Sequence, residues 1–246
     1  AYFLQYCHKT ERYGFRQGFL NREYYDPYDF VDVKGIEKGM CIVREAETGW
    51  GVIDRNHYTI LKFEFDTVIE NHSHNLFLVQ KAGLFGFYNN HGYQMISCQY
   101  EEAEPFSEGF APVMYKGKWG FIDVLDNFVI EPVYEKVEDF SEGKVFVIPF
   151  GEKATGGFFI DKKGQQVSEK YHSGSSFRNG MAAVFNGKKW GYLNTDFKVA
   201  IDFQYDDAFG FDTYPFTAVR IEDNWQYINR RGIRIFDANN DFKFVK

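Results

Sequence analysis

One pattern recurs along this chain at a spacing of about 35 residues, and it restricts the fold more than any other feature. The fullest copy, at 117–148, reads GKWGFIDVLDNFVIEPVYEKVEDFSEGKVFVI. It contains a glycine turn, Trp-Gly, a Val/Ile segment, a Tyr-acidic pair, and a final Phe and Gly before an alternating apolar run. The positions equivalent to the glycine of Trp-Gly are Gly51, Gly86, Gly120, Phe158, Gly191 and Gln226, with spacings of 35, 34, 38, 33 and 35 residues. A period of this size is typical of repeat architectures.

Each copy predicts strand, turn, strand, turn, strand. The segment Asn186-Gly187 lies between two apolar runs, which indicates a hairpin whose two turn residues both have positive φ. A second turn, Asx-x-x-Gly, recurs at 89–92, 161–164 and 229–232, where the Asx side chain can cap the turn. Pro132 is expected to end a strand. No segment has a sustained helical period, and 20% of residues are aromatic, so we expect few helices and much β-structure.

The Trp-Gly pair predicts a packing role. A glycine inside a strand exposes bare backbone, and a neighbouring aromatic ring can cover it. Each hairpin then has an apolar face that a single unit cannot bury alone, so the units must stack on one another. The residues assigned to this structural motif are Trp50, Gly51, Phe85, Gly86, Trp119, Gly120, Trp190, Gly191 and Trp225.

The predicted fold is all-β: a tandem array of about six antiparallel β-meander repeats over residues 26–246. We favour an open, superhelical or solenoid-like array, because a repeat of ~35 residues is shorter than the ~40–50 of a usual propeller blade. The alternative is a closed, six-bladed, propeller-like ring, because the chain enters and leaves the pattern within a repeat. Residues 1–25 fit the pattern poorly, although Tyr13-Gly14-Phe15 resembles a decayed Trp-Gly half.

The copy at 117–148, with its echoes at Trp50-Gly51, Phe85-Gly86 and Trp190-Gly191, resembles the WG-repeat family of β-repeat proteins. The family is common in bacteria and has no general activity assigned to it. The resemblance therefore implies an all-β repeat protein that serves as an interaction surface, and it implies no catalytic residue. The copies at Phe158 and Gln226 depart from the motif, since both replace its glycine.

Composition limits the partners. The 246 residues have a formal net charge of −7, which disfavours nucleic acid and anionic membranes as partners. No apolar run reaches the ~20 residues of a membrane span, and the N-terminus lacks a signal-peptide core; a signal removed before Ala1 stays an alternative. The three cysteines form no CxxC pair and no disulfide framework, so we expect unpaired thiols and, weakly, a reducing compartment.

No constellation predicts catalysis, and we expect no cofactor. His72 and His74 would share one side of an extended strand, but two further ligands at a fixed spacing are missing, so no metal site is predicted. The acidic residues that follow tyrosine recur with the repeat. Their periodicity favours a repeated turn or cross-strand contact over a catalytic carboxylate pair.

The sequence thus predicts a non-enzymatic scaffold that binds another protein. Loops that interrupt a repeat often gather on one binding face. The loops in question span 71–75, 151–157 and 212–215, and their candidate residues are His72, His74, Gly151, Glu152, Asp212 and Tyr214. The alternative is a carbohydrate or cell-envelope binding module that uses exposed rings such as Tyr58, Tyr115 and Tyr214.

Overall fold

The computed structural model describes the backbone of residues 2–7, 12–17, 30–37, 39–54, 58–71, 74–152, 155–212 and 214–237. The chain divides into two compact units, Ala1–Pro105 and Phe106–Lys246. The described residues contain strands and turns and no helix, and so no helix long and apolar enough for a membrane span. The expectation of few helices is confirmed.

The first unit contains a two-stranded hairpin and two four-stranded sheets, and every sheet is antiparallel with its strands in chain order. The hairpin is β1–β2, the first sheet is β3–β6 and the second is β7–β10. The strands are β1 (Tyr2–Cys7), β2 (Arg12–Gln17), β3 (Asp32–Glu37), β4 (Met40–Glu45), β5 (Gly49–Asp54), β6 (Thr59–Phe65), β7 (Thr67–Asn71), β8 (Leu76–Lys81), β9 (Leu84–Asn89), β10 (Gln94–Tyr100) and β11 (Glu102–Ala103).

The second unit continues the same meander. Strands β12 to β16 lie side by side in one sheet, followed by the four-stranded sheets β17–β20 and β21–β24. The strands are β12 (Ala111–Tyr115), β13 (Lys118–Ile122), β14 (Phe128–Val137), β15 (Lys144–Pro149), β16 (Phe158–Asp161), β17 (Ser173–Gly174), β18 (Met181–Phe185), β19 (Trp190–Asn194), β20 (Val199–Tyr205), β21 (Asp207–Ala208), β22 (Phe216–Ile221), β23 (Asn224–Asn229) and β24 (Arg234–Asp237).

A repeat contains four strands rather than the three that the turn pattern predicts. The additional strand is the short one that follows the tyrosine position, as at β17 after Tyr171-His172 and at β21 after Tyr205-Asp206. Sheets change at that pair: β20 ends at Tyr205 and β21 begins at Asp207. The exception is the ten-residue β14, which pairs with β13 through its first part and with β15 through its second. Two repeats therefore share one continuous sheet there.

The strand that follows Trp-Gly is bulged in each of the four repeats that keep the glycine. Trp119 pairs with Tyr134, yet Phe121 pairs with Ile130, so two residues of β13 face four of β14. The same shift occurs between consecutive cross-strand pairs in the other three repeats. These are Trp50–Phe65 and Val52–Leu61, Phe85–Tyr100 and Phe87–Ile96, and Trp190–Tyr205 and Tyr192–Ile201. Pro132 lies inside this bulge, where no ladder hydrogen bond is lost. The expectation that Pro132 ends a strand is wrong.

The bulge explains the glycine of Trp-Gly. An ideal Cβ on Gly120 would lie 2.7 Å from the Ile130 carbonyl oxygen and 2.8 Å from the Pro132 nitrogen, distances that real Cβ atoms essentially never show. At Gly51 the ring of Phe63, from the bulged strand β6, lies directly over the glycine. At Gln226 the opposite strand has no extra residue, because Gln226 pairs with Asp237 and Tyr227 pairs with Phe236. A side chain therefore fits at this position.

The sheets of the second unit bury their apolar faces against each other in succession. Phe121 and Phe140 pack with Val147 and Ile160, while the other face of the β15–β16 region, with Phe159, packs on β18 and β19. The final layer joins β18–β20 to Val219 and Ile228 of the last sheet, around fully buried Tyr192 and Phe211. In the first unit Trp50, Phe65 and Phe77 form the equivalent layer between its two sheets.

The turns are capped as the Asx pattern predicts. The Asn89 Oδ1 atom accepts hydrogen bonds from the N–H groups of His91 and Tyr93, and Asp161 and Asn229 do the same in their repeats. The Asn186-Gly187 hairpin differs from the prediction, because the loop has four residues and Gly187 alone has positive φ. Asn186 instead accepts the N–H groups of Lys188 and Lys189. Its side chain stabilises the wider loop in place of a two-residue turn.

The N-terminal hairpin follows the register of the repeats. Gln5 pairs with Gly14, as Val43 pairs with Gly51 and Val113 with Gly120. The interpretation of Tyr13-Gly14-Phe15 as a decayed Trp-Gly half stays a prediction. The rest of 1–25 lies outside the described residues. The preference for an open array over a closed ring stays a prediction.

Candidate interaction surface

The acidic residues that follow the tyrosine position cap turns. Asp66 accepts a hydrogen bond from the N–H of Gly83 at 3.1 Å. Asp206 accepts one from the N–H of Glu222 at 2.7 Å and forms an ion pair with Lys189. The Lys189 hydrogen bond, followed by that backbone N–H, lowers the pKa of Asp206. The predicted repeated turn contact is therefore observed, and these carboxylates have a structural role.

A second set of polar contacts joins neighbouring repeats in the Phe-Ser-Glu-Gly loops of the second unit. Both carboxylate oxygens of Glu108 accept backbone N–H groups one repeat further on, from Glu142 at 2.7 Å and Gly143 at 2.9 Å. Glu142 in turn accepts the N–H of Gly180 at 2.8 Å. Lys162 pairs with Glu108 at 3.2 Å. We call this series of contacts the carboxylate ladder; it fixes the spacing of the stacked loops.

We expect Glu108→Gln to lower the free energy of unfolding of the second unit by about 1–3 kcal/mol, because hydrogen bonds to a charged acceptor are lost. Partial burial alone would raise the pKa of Glu108, but the Gly143 N–H, Lys162 and the Glu142 N–H hold it below its ordinary value. The carboxylate's contribution is therefore present above the unfolded-state pKa of about 4.3 and is lost as pH falls through the lower folded-state pKa.

Urea unfolding measured from neutral pH down to acid tests this expectation. The wild type should lose more stability with falling pH than Glu108→Gln, while Glu131→Gln, at an exposed position, should follow the wild type. Parallel pH profiles for the wild type and Glu108→Gln would count against the ladder.

The described thiols are not arranged for reaction. Cys41 is buried, and burial raises its pKa to about 12. Burial also raises the pKa of half-buried Cys98. Neither thiol is therefore a thiolate at neutral pH. Over the described part of the chain, no three His, Cys, Asp or Glu side chains come together as a metal site. His74 is described, and His72 lies outside the described residues.

The three interrupting loops do not occupy equivalent ends of their sheets. Residues 71–75 connect β7 to β8, and 212–215 precede β22, so both join the first and second strands of a repeat. Residues 150–157 connect β15 to β16, the second and third strands of theirs. In an antiparallel meander these connections lie at opposite ends. Within the second unit, residues 150–157 and 212–215 therefore join strands at opposite ends of their sheets, and a shared binding face for the three loops stays a prediction.

The start of the loop between β15 and β16 is held by hydrogen bonds and presents an aromatic ring. The N–H of Phe150 donates to the Val133 carbonyl at 3.1 Å, and the N–H of Gly151 donates to Glu135 at 3.3 Å. The ion pair with Lys170 lowers the pKa of Glu152 and holds the far side of the loop. The Phe150 side chain is nevertheless 56% exposed. Val133 beside it is 49% exposed.

Lys118 of the β12–β13 hairpin borders this ring, and Lys116 at the tip of the same hairpin borders Tyr115. The Lys118 ammonium lies 4.9 Å from the Phe150 ring centroid, and the Lys116 ammonium lies 5.0 Å from that of Tyr115. Lys116 and Gly117 both have positive φ, which makes the tight two-residue turn that sets these side chains. We call Tyr115, Lys116, Lys118, Val133 and Phe150 the lysine–aromatic patch.

The sequence identified this patch only in part. It singled out Gly151, Glu152 and Tyr115, but their roles differ: Gly151 and Glu152 anchor the loop, whereas Phe150 and Val133 are the exposed groups. The available signal was an aromatic residue at 150, where the equivalent turn positions are Ala82 and Lys116. The other candidates lie elsewhere: Asp212 accepts a hydrogen bond from Asn179 through its carbonyl, and Tyr214 stacks on Phe216 at 5.4 Å between centroids.

The comparison with known families decides the classification. The model of the WG containing repeat matches five adjacent segments, at 50–85, 85–119, 119–148, 158–190 and 190–225. The chain belongs to the WG-repeat family. Each WG-repeat match begins at the Trp-Gly strand of one sheet, so the unit of sequence is offset from the sheet. No curated protein matches the chain at a significant level.

Solved structures show likeness of fold alone. A eukaryotic initiation factor is 8% identical, with a TM-score of 0.61, over 92% of this chain and 71% of that one. KlHsv2 with loop 6CD replaced by a Gly-Ser linker is 13% identical, with a TM-score of 0.51, over 82% of this chain and 77% of that one. The structural neighbours of this WG-repeat chain are propeller-like.

Proposed function

We propose that this WG-repeat chain is a non-enzymatic scaffold that binds another protein through the lysine–aromatic patch. The observation that carries the proposal is Phe150: a large ring, 56% exposed, on a loop held by hydrogen bonds at its start. Neighbouring exposed apolar groups on a monomer usually indicate a contact site. Aromatic residues set among well-anchored neighbours contribute most to binding.

The remainder of the repeat supports this assignment. Its acidic residues cap turns and join loops, and its buried phenylalanines fill the layers between sheets. Those residues serve the stack. Loops that depart from the repeat are where a repeat protein places its recognition residues.

We expect Phe150→Ser to weaken partner binding about tenfold or more, since truncating an aromatic anchor commonly costs over 1.4 kcal/mol. Affinity capture from lysate of the source cells, with quantitative mass spectrometry, would compare the wild type with this variant. Val199→Ser is the matched control, because Val199 is 51% exposed and lies in β20 of another sheet. Proteins recovered by the wild type and the control but lost with Phe150→Ser support the proposal. Equal recovery by all three contradicts it.

A second candidate function has an observation of its own. Tyr58 and Tyr93 occupy equivalent positions on consecutive repeats of the first unit and are 72% and 70% exposed. Each donates its backbone N–H to the Asx residue of its turn, which fixes the backbone from which the ring projects. Repeated exposed rings can stack on sugars. A glycan array followed by tryptophan fluorescence titration of Tyr58→Ala and Tyr93→Ala tests it; no glycan bound by the wild type would exclude it.

A further inference from the structure

We propose that the lysine–aromatic patch binds an acidic peptide segment of its partner, one that places an apolar side chain against Phe150 and carboxylates against Lys116 and Lys118. This inference rests on the proposed function and adds the chemistry of the partner. It concerns a patch of positive charge on a chain whose formal net charge is −7.

The charge of the patch is not neutralised locally. The nearby carboxylates of the loop are engaged, since Glu135 accepts the N–H of Gly151 and Glu152 pairs with Lys170. Among the residues that the structure describes, neither Lys116 nor Lys118 has a carboxylate within ion-pair distance. Each ammonium group lies over an aromatic ring, Lys116 over Tyr115 and Lys118 over Phe150. Two ammonium groups are therefore available to a negatively charged ligand.

The two lysines also restrict where the carboxylates bind. Lys116 stands at the tip of the hairpin and Lys118 two residues later, so their side chains leave the turn at different points. The Lys118 ammonium lies over Phe150, so an incoming carboxylate would contact the ammonium while its neighbour contacts the ring. A segment that alternates acidic and apolar residues satisfies both sites. Val133, at 49% exposed, extends the apolar part.

Charge complementarity argues for an acidic peptide over a longer polyanion. Lysines interleaved with rings also suit single-stranded nucleic acid. However, a nucleic-acid strand would continue beyond the patch over a surface whose overall charge is negative. Repulsion from that surface weakens its binding at physiological salt. A short peptide contacts the patch alone.

Fluorescence anisotropy tests this with labelled synthetic peptides of alternating Glu and Phe. A matched peptide has Gln for every Glu, and a single-stranded oligonucleotide is included. The double variant K116E/K118E should bind the acidic peptide about tenfold more weakly than the wild type at low salt, and the difference should shrink at high salt. The double variant K163E/K198E has the same net charge but places its changes in exposed turns at the opposite end of their strands. It should bind like the wild type.

Three results would overturn the inference: equal binding of the glutamine peptide, equal binding by K116E/K118E, or preference for the oligonucleotide. Its failure is distinguishable from failure of the proposed function. If Phe150→Ser abolishes partner capture while K116E/K118E leaves both capture and peptide binding intact, the scaffold proposal stands and the acidic partner is wrong. If neither variant changes capture, both are wrong.

Discussion

Replacing Phe159 with alanine is expected to lower the free energy of unfolding of the second unit by about 3–5 kcal/mol, the usual cost of emptying a buried phenylalanine site. Phe159 is fully buried, and its ring centroid lies 5.0 Å from that of Phe177 and 5.2 Å from that of Phe146. It stands in the repeat that lacks Trp-Gly. Loss of this ring should leave a cavity between the β15–β16 region and the next sheet.

Urea denaturation followed by tryptophan fluorescence measures the effect. Phe150→Ala is the control, because it truncates the same residue type at an exposed position. It should change the free energy of unfolding by about 0.5 kcal/mol or less. If Phe159→Ala does not fold, Phe159→Leu keeps most of the volume and should still cost about 1 kcal/mol. A loss from Phe159→Ala no larger than that from Phe150→Ala would contradict the layered core.

Adding one methyl group at Gly120 is expected to be nearly as damaging. Gly120→Ala places a Cβ against the Ile130 carbonyl and the backbone of Pro132, and backbone cannot move aside as a flexible side chain can. Overpacking of this kind costs about 1–3 kcal/mol, and more where the strand must change register. Thermal and urea unfolding should both show the loss.

The matched control for Gly120→Ala lies in the last repeat. Gln226 occupies the equivalent position, but the register opposite it advances one residue for one, and the irregularity of that strand pair falls later, between Tyr227 and Ile228. Gln226→Ala should therefore alter stability by about 0.5 kcal/mol or less. Equal effects at the two positions would mean that the bulge does not determine the need for glycine.

The repeat was predictable because its signals are local and periodic. Residues such as Trp119, Gly120 and the Asx turn at Asp161 recur at fixed intervals and have one backbone interpretation each. The bulge was not predictable, because it depends on which residue of β14 faces Trp119, and a side-chain pattern does not specify that register. The turn pattern does not place the fourth strand for a related reason: β17 has two residues, too few for an alternation.

The site was less predictable than the fold. Glu108 and Glu142 meet through contacts one repeat apart, so their partners are set by stacking and not by neighbours in sequence. The departure at 151–157 was visible as extra residues, but the exposed group, Phe150, precedes it and depends on a backbone hydrogen bond to Val133. Sequence spacing marks where a repeat is interrupted, and the connection order of the strands decides which end of the sheet receives the loop.

The central claim is that the repeats supply the scaffold while the interruption at 150–157 supplies recognition. The most direct measurement replaces residues 150–156 with the two-residue Lys-Gly turn of the preceding repeat and records melting temperature and partner capture on the same sample. The account predicts a cooperative transition close to that of the wild type, together with loss of the proteins that depend on Phe150. Capture equal to that of the wild type by this folded variant would contradict it.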